Sequence, residues 1–100
     1  MRNKKMELDE YLDKVKDQES FLEFVKALQA DKEDEDRKEK ENPSSPYSHG
    51  ANGWENNTID GFLESAVAWA EDSNFGNNIE KTNNEWKKFA LFLYGGKIYE

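Results

Sequence analysis

Apolar residues recur at helical spacing in four separate windows of this chain. Leu8, Tyr11, Leu12 and Val15 stand at i, i+3, i+4 and i+7, which predicts a short first helix over 6–16. Ser20 with Glu23 matches the capping box, in which two side chains satisfy backbone N–H groups at a helix start, directly before Phe21, Leu22, Phe24, Val25 and Leu28. A second helix over 20–36 follows. The alternative is one continuous or kinked helix over 6–30, because Tyr11, Val15, Leu22 and Val25 share a rough heptad phase. At about 100° per residue, Ile59, Phe62, Leu63, Ala66, Val67, Trp69 and Ala70 fall within one arc roughly 160° wide, opposite Asp60, Glu64, Glu71 and Asp72. With Thr58 as cap, and Asn57 as the alternative, this predicts a third helix over 58–72 that turns its apolar arc to the core.

Thr82 and Glu85 form a further capping-box match and open a predicted fourth helix over 83–94. Trp86, Phe89, Ala90, Leu93 and Tyr94 share one face, and Gly95-Gly96 supplies residues suited to a left-handed helix close. Leu91 and Phe92 project off that face, so residues 89–94 are apolar all round. Enclosure by the first two helices is the preferred reading, and a face offered to a partner is the alternative.

No segment alternates apolar and polar residues long enough to form a sheet. The predicted fold class is therefore all-α, a single small domain over 1–100, with three or four helices and a long irregular loop in the middle. That middle, 31–53, begins with a run in which every residue from Asp31 to Glu41 is charged. Opposite charges four apart at Glu33 and Arg37, Asp34 and Lys38, and Asp36 and Lys40 favour a helix. The run reads as a solvated, fraying extension rather than as an acidic docking surface. Asn42-Pro43 ends any helix, and Pro43 to Gly53 reads as loop, so 37–53 is expected to be irregular.

Composition narrows the function. Charged residues at 36% outnumber hydrophobic ones at 35%, yet aromatics at 13% are too abundant for a chain without a core. A net charge of −8 disfavours a phosphate-binding surface, which depends on Lys and Arg, so no nucleic-acid partner is expected. Cysteine is absent, which removes disulfides, thiolate nucleophiles and zinc–thiolate sites and fits a cytoplasmic location. Neither an apolar leader core nor a membrane-length apolar run occurs, so neither export nor a membrane span is expected.

Candidate chemistry is sparse. The glycine-rich nucleotide loops, the His-Glu-x-x-His pair and the Gly-x-Ser-x-Gly elbow are missing. The sole histidine, His49, lies in the loop without a nucleophile or orienting partner at informative spacing, and is read as a turn residue. Asp60, Glu64 and Glu71 share one helical flank, read as a solvated acidic face rather than a site for a hard cation. No metal or cofactor is expected. Trp54, Trp69, Trp86, Tyr94 and Tyr99 are read first as core and second as an aromatic pocket, with Lys97 as a cationic lip for a planar or anionic ligand.

Trp54-Glu55-Asn56, Thr58-Ile59, Phe62-Leu63-Glu64, Ala68-Trp69-Ala70-Glu71-Asp72, Trp86-Lys87, Phe89-Ala90 and Tyr94-Gly95-Gly96-Lys97-Ile98-Tyr99-Glu100 together carry a likeness. On these residues the chain resembles a family of small bacterial single-domain proteins of unassigned function. The likeness spans 54–100 and, more loosely, Phe21 to Leu28. It implies a small intracellular bacterial domain and brings no activity or cofactor with it. The expectation is a non-catalytic, acidic protein-interaction module of adaptor or immunity type, with a small-ligand binder as the alternative. Trp54, Trp69, Leu91, Phe92, Lys97 and Tyr99 are its candidate ligand or partner residues. A protein partner is expected, with the chain itself monomeric and a homodimer as the alternative.

Overall fold

A computed structural model describes residues 6–44, 50–76 and 84–99. Four helices appear there and no strand among the described residues: α1 (Leu8–Asp13), α2 (Gln18–Glu41), α3 (Ile59–Asp72) and α4 (Glu85–Ile98). The all-α expectation holds, and α1 and α2 are two helices rather than one. The chain breaks between them because Asp17 takes an extended conformation and caps α2, accepting a bond from Ser20 N at 2.9 Å. Ser20 is thus not the cap but the third residue of the helix; its hydroxyl reaches back to accept from Asp17 N at 3.0 Å and Lys16 N at 2.8 Å.

Two helix ends also differ from the sequence reading. The second helix continues past 36 to Glu41, so the expected irregular stretch starts only at Asn42, where the following proline stops the helix. The fourth helix does not close at Gly95-Gly96 but runs through both to Ile98. These glycines serve packing: a Cβ at Gly95 would stand 2.8 Å from Trp69 Cγ, and one at Gly96 would stand 2.7 Å from the Phe62 ring. Bare backbone lets α3 rest directly on α4. Thr82, and Ile79, which with Phe75 is expected to anchor the preceding loop to the core, lie outside the described residues; the cap of α4 is Asn84, which accepts from Lys87 N at 3.1 Å and donates from Nδ2 to Lys16 O at 2.8 Å.

α4 is the central strut. It packs against α3 most extensively and against α2 and α1, while α1 also packs on α2; α2 and α3 do not touch each other. The resulting slab measures 42 × 40 × 19 Å. Its buried core joins Leu12, Val15, Phe24, Leu28, Trp54 and Ala90. Leu91 packs against this core, and Phe92 is covered from elsewhere than α1 and α2: its ring stacks on Phe75 at 5.6 Å. Phe75 follows the close of α3, where Asn74 and Phe75 both adopt positive φ and Phe75 N bonds back to Ala70 O. Phe89, expected on the core face, is 47% exposed.

Candidate functional site

Two features emerge from this frame, a latch built by the charged run and a groove left between two helices. In α2 the core positions Phe24 and Leu28 continue at the same helical phase as Asp31, Glu35 and Glu39. The core stripe therefore changes from apolar to acidic without leaving its face. The loop 50–56 lies across it. Glu35 is 1% exposed and its Oε1 accepts from Asn52 N at 3.0 Å and Trp54 N at 3.1 Å. Glu39 accepts from Ser44 N, Ser44 Oγ and Ala51 N, and those donors, the Ser44 hydroxyl foremost, hold its carboxyl below the usual range. Asp34 is lowered likewise, first by the Asn52 amide and then by Lys38 and Arg37.

Asp31 completes the latch. Its Oδ2 accepts from Trp54 Nε1 at 2.8 Å and pairs with Lys97 Nζ at 2.7 Å. Lys97 is buried, and its ammonium lies 5.6 Å above the Trp54 ring, while Lys32 lies 5.8 Å from the same ring. Beyond Trp54, Glu55 N donates to Lys97 O, and Asn56 Nδ2 donates to Gly96 O and Tyr99 O, satisfying carbonyls left free at the end of α4. The charged run is thus neither a fraying end nor a surface for another molecule along this face. It is where the chain docks its own loop. Of the three expected pairs along the run, Asp34–Lys38 forms at 3.0 Å, whereas Arg37 turns to Asp34 and Asp36 to Lys32.

The groove lies on the other side of the latch. Because α2 and α3 diverge over α4, a cleft of about 510 Å³ opens between them, walled by Val25, Leu28, Gln29 and Glu33 of α2 and by Ile59, Phe62 and Leu63 of α3. Leu93 and Trp54 also line it, with the Trp54 and Phe62 rings 6.1 Å apart. Here the expected core arc of α3 is only half used. Phe62, Ser65, Ala66, Trp69 and Ser73 turn inward, whereas Ile59 is 81% exposed, Leu63 49% and Val67 47%. The physical reason is that α3 has a single helical neighbour, α4, and one neighbour covers less than the full width of a 160° arc (roughly a third of the circumference suffices for one contact face).

The sequence candidates are distributed over three places. Trp54 and Lys97 meet at the latch, with Trp54 also reaching the groove. Trp69 packs on Phe75 at 6.0 Å beside Phe92 and Leu91, and Tyr99 hydroxyl bonds Asp72. Trp86 joins Phe21 and Phe89 at 5.4 and 6.1 Å. Sequence reasoning did not single out Glu35 or Asn52, and it assigned Ile59 and Leu63 to the core rather than to a site. The signal for Glu35 was available, since an acid at a core phase must find donors, but the spacing does not say which loop supplies them. His49 lies outside the described residues. Among the described residues no group of three or more His, Cys, Asp or Glu side chains is placed to hold a metal ion, and no helix is long and apolar enough to cross a membrane.

No curated protein and no solved structure matches the chain. The sequence profile of the family of unknown function DUF7660 matches residues 17–100, from the cap of α2 through the latch and both walls of the groove, so the chain belongs to that family.

Proposed function

We propose that this chain is a non-catalytic protein-interaction module, an adaptor or immunity-type component of the cytoplasm, monomeric by itself, that receives a protein partner in the groove between α2 and α3. The observation that carries this reading is the stripe of Ile59 and Leu63, which line the groove, and Val67, which continues the row beyond it, all exposed on a helix whose other face is packed. Fully burying an exposed aliphatic side chain is worth about 1.5–3 kcal/mol, so a partner that covers Ile59 gains most of that and one that covers the half-exposed Leu63 and Val67 gains roughly half of it at each. The latch keeps the groove in shape, because it fixes Trp54 and Asn56 at its inner end without a contact between the two walls.

A second reading, a small apolar ligand, is favoured by the groove's size, which falls in the range of about 300–1,000 Å³ typical of ligand pockets. A photo-crosslinking residue placed at Leu63 separates the two in lysate of the native cells. The interaction reading expects a discrete protein adduct that is absent when the crosslinker sits at Glu19, an exposed residue of the first turn of α2. Label found only on a small molecule favours the second reading, and no specific adduct of either kind sinks both.

A further inference from the structure

The shape and charge of the groove together narrow its occupant. We infer that it seats a cationic amphipathic helix of a partner protein, an inference that rests on the interaction reading and adds the chemistry of the partner. Geometry supplies the helix. α2 and α3 lie on α4 without touching each other, and a cleft between two helices over a third is filled by a further helix that sets its own apolar ridge between them. The exposed apolar row Ile59, Leu63, Val67 advances one turn per residue, about 12 Å in all at 1.5 Å per residue. A segment of roughly three turns with apolar residues at i, i+3 or i+4, and i+7 matches it.

Charge supplies the sign. On α3 the arc next to the apolar row holds Asp60, Glu64 and Glu71, and none of the three is in an ion pair among the described residues. On the α2 wall Glu33 faces the opening, and the one lysine of the lining, Lys32, is already paired with Asp36. Acid thus flanks an apolar floor. The same pattern disfavours the other occupants. Two copies meeting about a two-fold axis would set Asp60, Glu64 and Glu71 of one against those of the other, on chains that each carry a net charge of −8. An anionic lipid or nucleic-acid surface meets the same repulsion.

The test uses the full chain and three labelled helical peptides of about sixteen residues, a length that spans the row with a turn to spare at each end. The first carries Leu on one face and Lys on its flanks, the second has Glu in place of Lys, and the third is a scramble of the first. Anisotropy titrations are read alongside amide shift mapping. The cationic amphipathic peptide is expected to bind at least about tenfold tighter than either control, a gap of about 1.4 kcal/mol. Its shifts should centre on Ile59, Leu63 and Val67. Leu63→Ser should weaken it about tenfold, and Glu64→Gln with Glu71→Gln should weaken it several-fold and flatten its salt dependence. Because these side chains are exposed, the variants keep the fold, which the unchanged amide spectrum of α1 and α4 checks. Equal binding of the scramble would show unspecific charge attraction and overturn the inference, as would preference for the acidic peptide, self-association through Leu63, or no binding by any peptide. Self-association through Leu63 would also appear as a crosslinked adduct of the chain with itself and would replace the monomeric reading, whereas the other outcomes leave the crosslinking result at Leu63 standing, so the partner chemistry and the interaction reading fail separately.

Discussion

Glu35 is an acid at a core position, and its surroundings say why an apolar residue does not stand there. The loop that crosses α2 brings two backbone N–H groups, of Asn52 and Trp54, to a buried place where only a side-chain oxygen on the helix can accept them. Gly50 completes the fit, since a Cβ there would overlap the carboxylate. Glu35 Oε2 is buried with no hydrogen-bond partner among the described residues. Removing the acceptor leaves both buried N–H groups without a partner, which costs about 1–3 kcal/mol for each, so Glu35→Ala should destabilise the protein by about 2–5 kcal/mol. Glu35→Gln keeps one oxygen for the two donors and should lose distinctly less. Chemical denaturation of the two variants against the parent chain checks both the size and the order. That such a residue sits amid eleven consecutive charges, from Asp31 to Glu41, explains why the sequence hid it. A charge run looks alike whether one face is buried or none is. Only the phase shared with Phe24 and Leu28 marks Asp31, Glu35 and Glu39 as inward, and that mark becomes decisive once the loop donors are seen opposite them.

At the scale of elements, the periodic signals located every helix among the described residues, while several of the ends were ambiguous in the local pattern. Thr58 caps α3 as its chemistry predicts, accepting from Gly61 N at 3.1 Å. Ser20 matched a capping box equally well, yet Asp17 took the role because its own carboxylate reaches Ser20 N and Ser20 Oγ together. Gly95-Gly96 shows the same ambiguity in its sharpest form, for glycine serves both a helix close and a close helix crossing. Phe62 and Trp69 lie two turns apart on α3 and straddle the contact, each laying its ring on one glycine, with Ser65 and Ala66 buried between them. In an uncrowded helix, replacing glycine by alanine would stabilise by roughly 0.5–1 kcal/mol. Here the added methyl meets a ring atom well inside contact distance, and overpacking of this kind costs about 1–3 kcal/mol. Gly95→Ala and Gly96→Ala should therefore each lower the melting temperature. A rise in melting temperature for either would show that α3 can shift away from α4 at little cost. The exposed edge of α3 follows from the same crossing, because one strut in contact with a wide apolar arc leaves Ile59, Leu63 and Val67 beyond its reach.

For the whole molecule, the arrangement amounts to two helical arms on α4, tied at one end by a loop that carboxylates hold. This makes acid a specific agent against the tie. Glu39 has its carboxyl lowered by the Ser44 hydroxyl and by the backbone N–H groups of Ser44 and Ala51. A folded-state value below the unfolded one means that the unfolded chain takes up its proton first as pH falls. The stabilisation is therefore fully present above the unfolded value, about 4.3 for glutamate, and is lost as pH drops from there through the folded value. Asp34, lowered by Asn52 and Lys38, follows the same sign, with its loss beginning below about 3.9. Acid also reduces the self-repulsion of a chain with net charge −8, which acts in the opposite direction, so a bare melting curve against pH mixes two effects. Comparison with Ser44→Ala isolates the latch, since both chains carry the same charges. At neutral pH the variant lacks a donor to an ionised Glu39 and should melt at a lower temperature than the parent. As pH falls below about 4 the parent loses what the variant already lacks, and the difference between the two melting temperatures should shrink. A difference that stays constant from neutral pH down to about 2, well below both unfolded values, would mean that Ser44 acts through the conformation of its loop and not through the charge on Glu39.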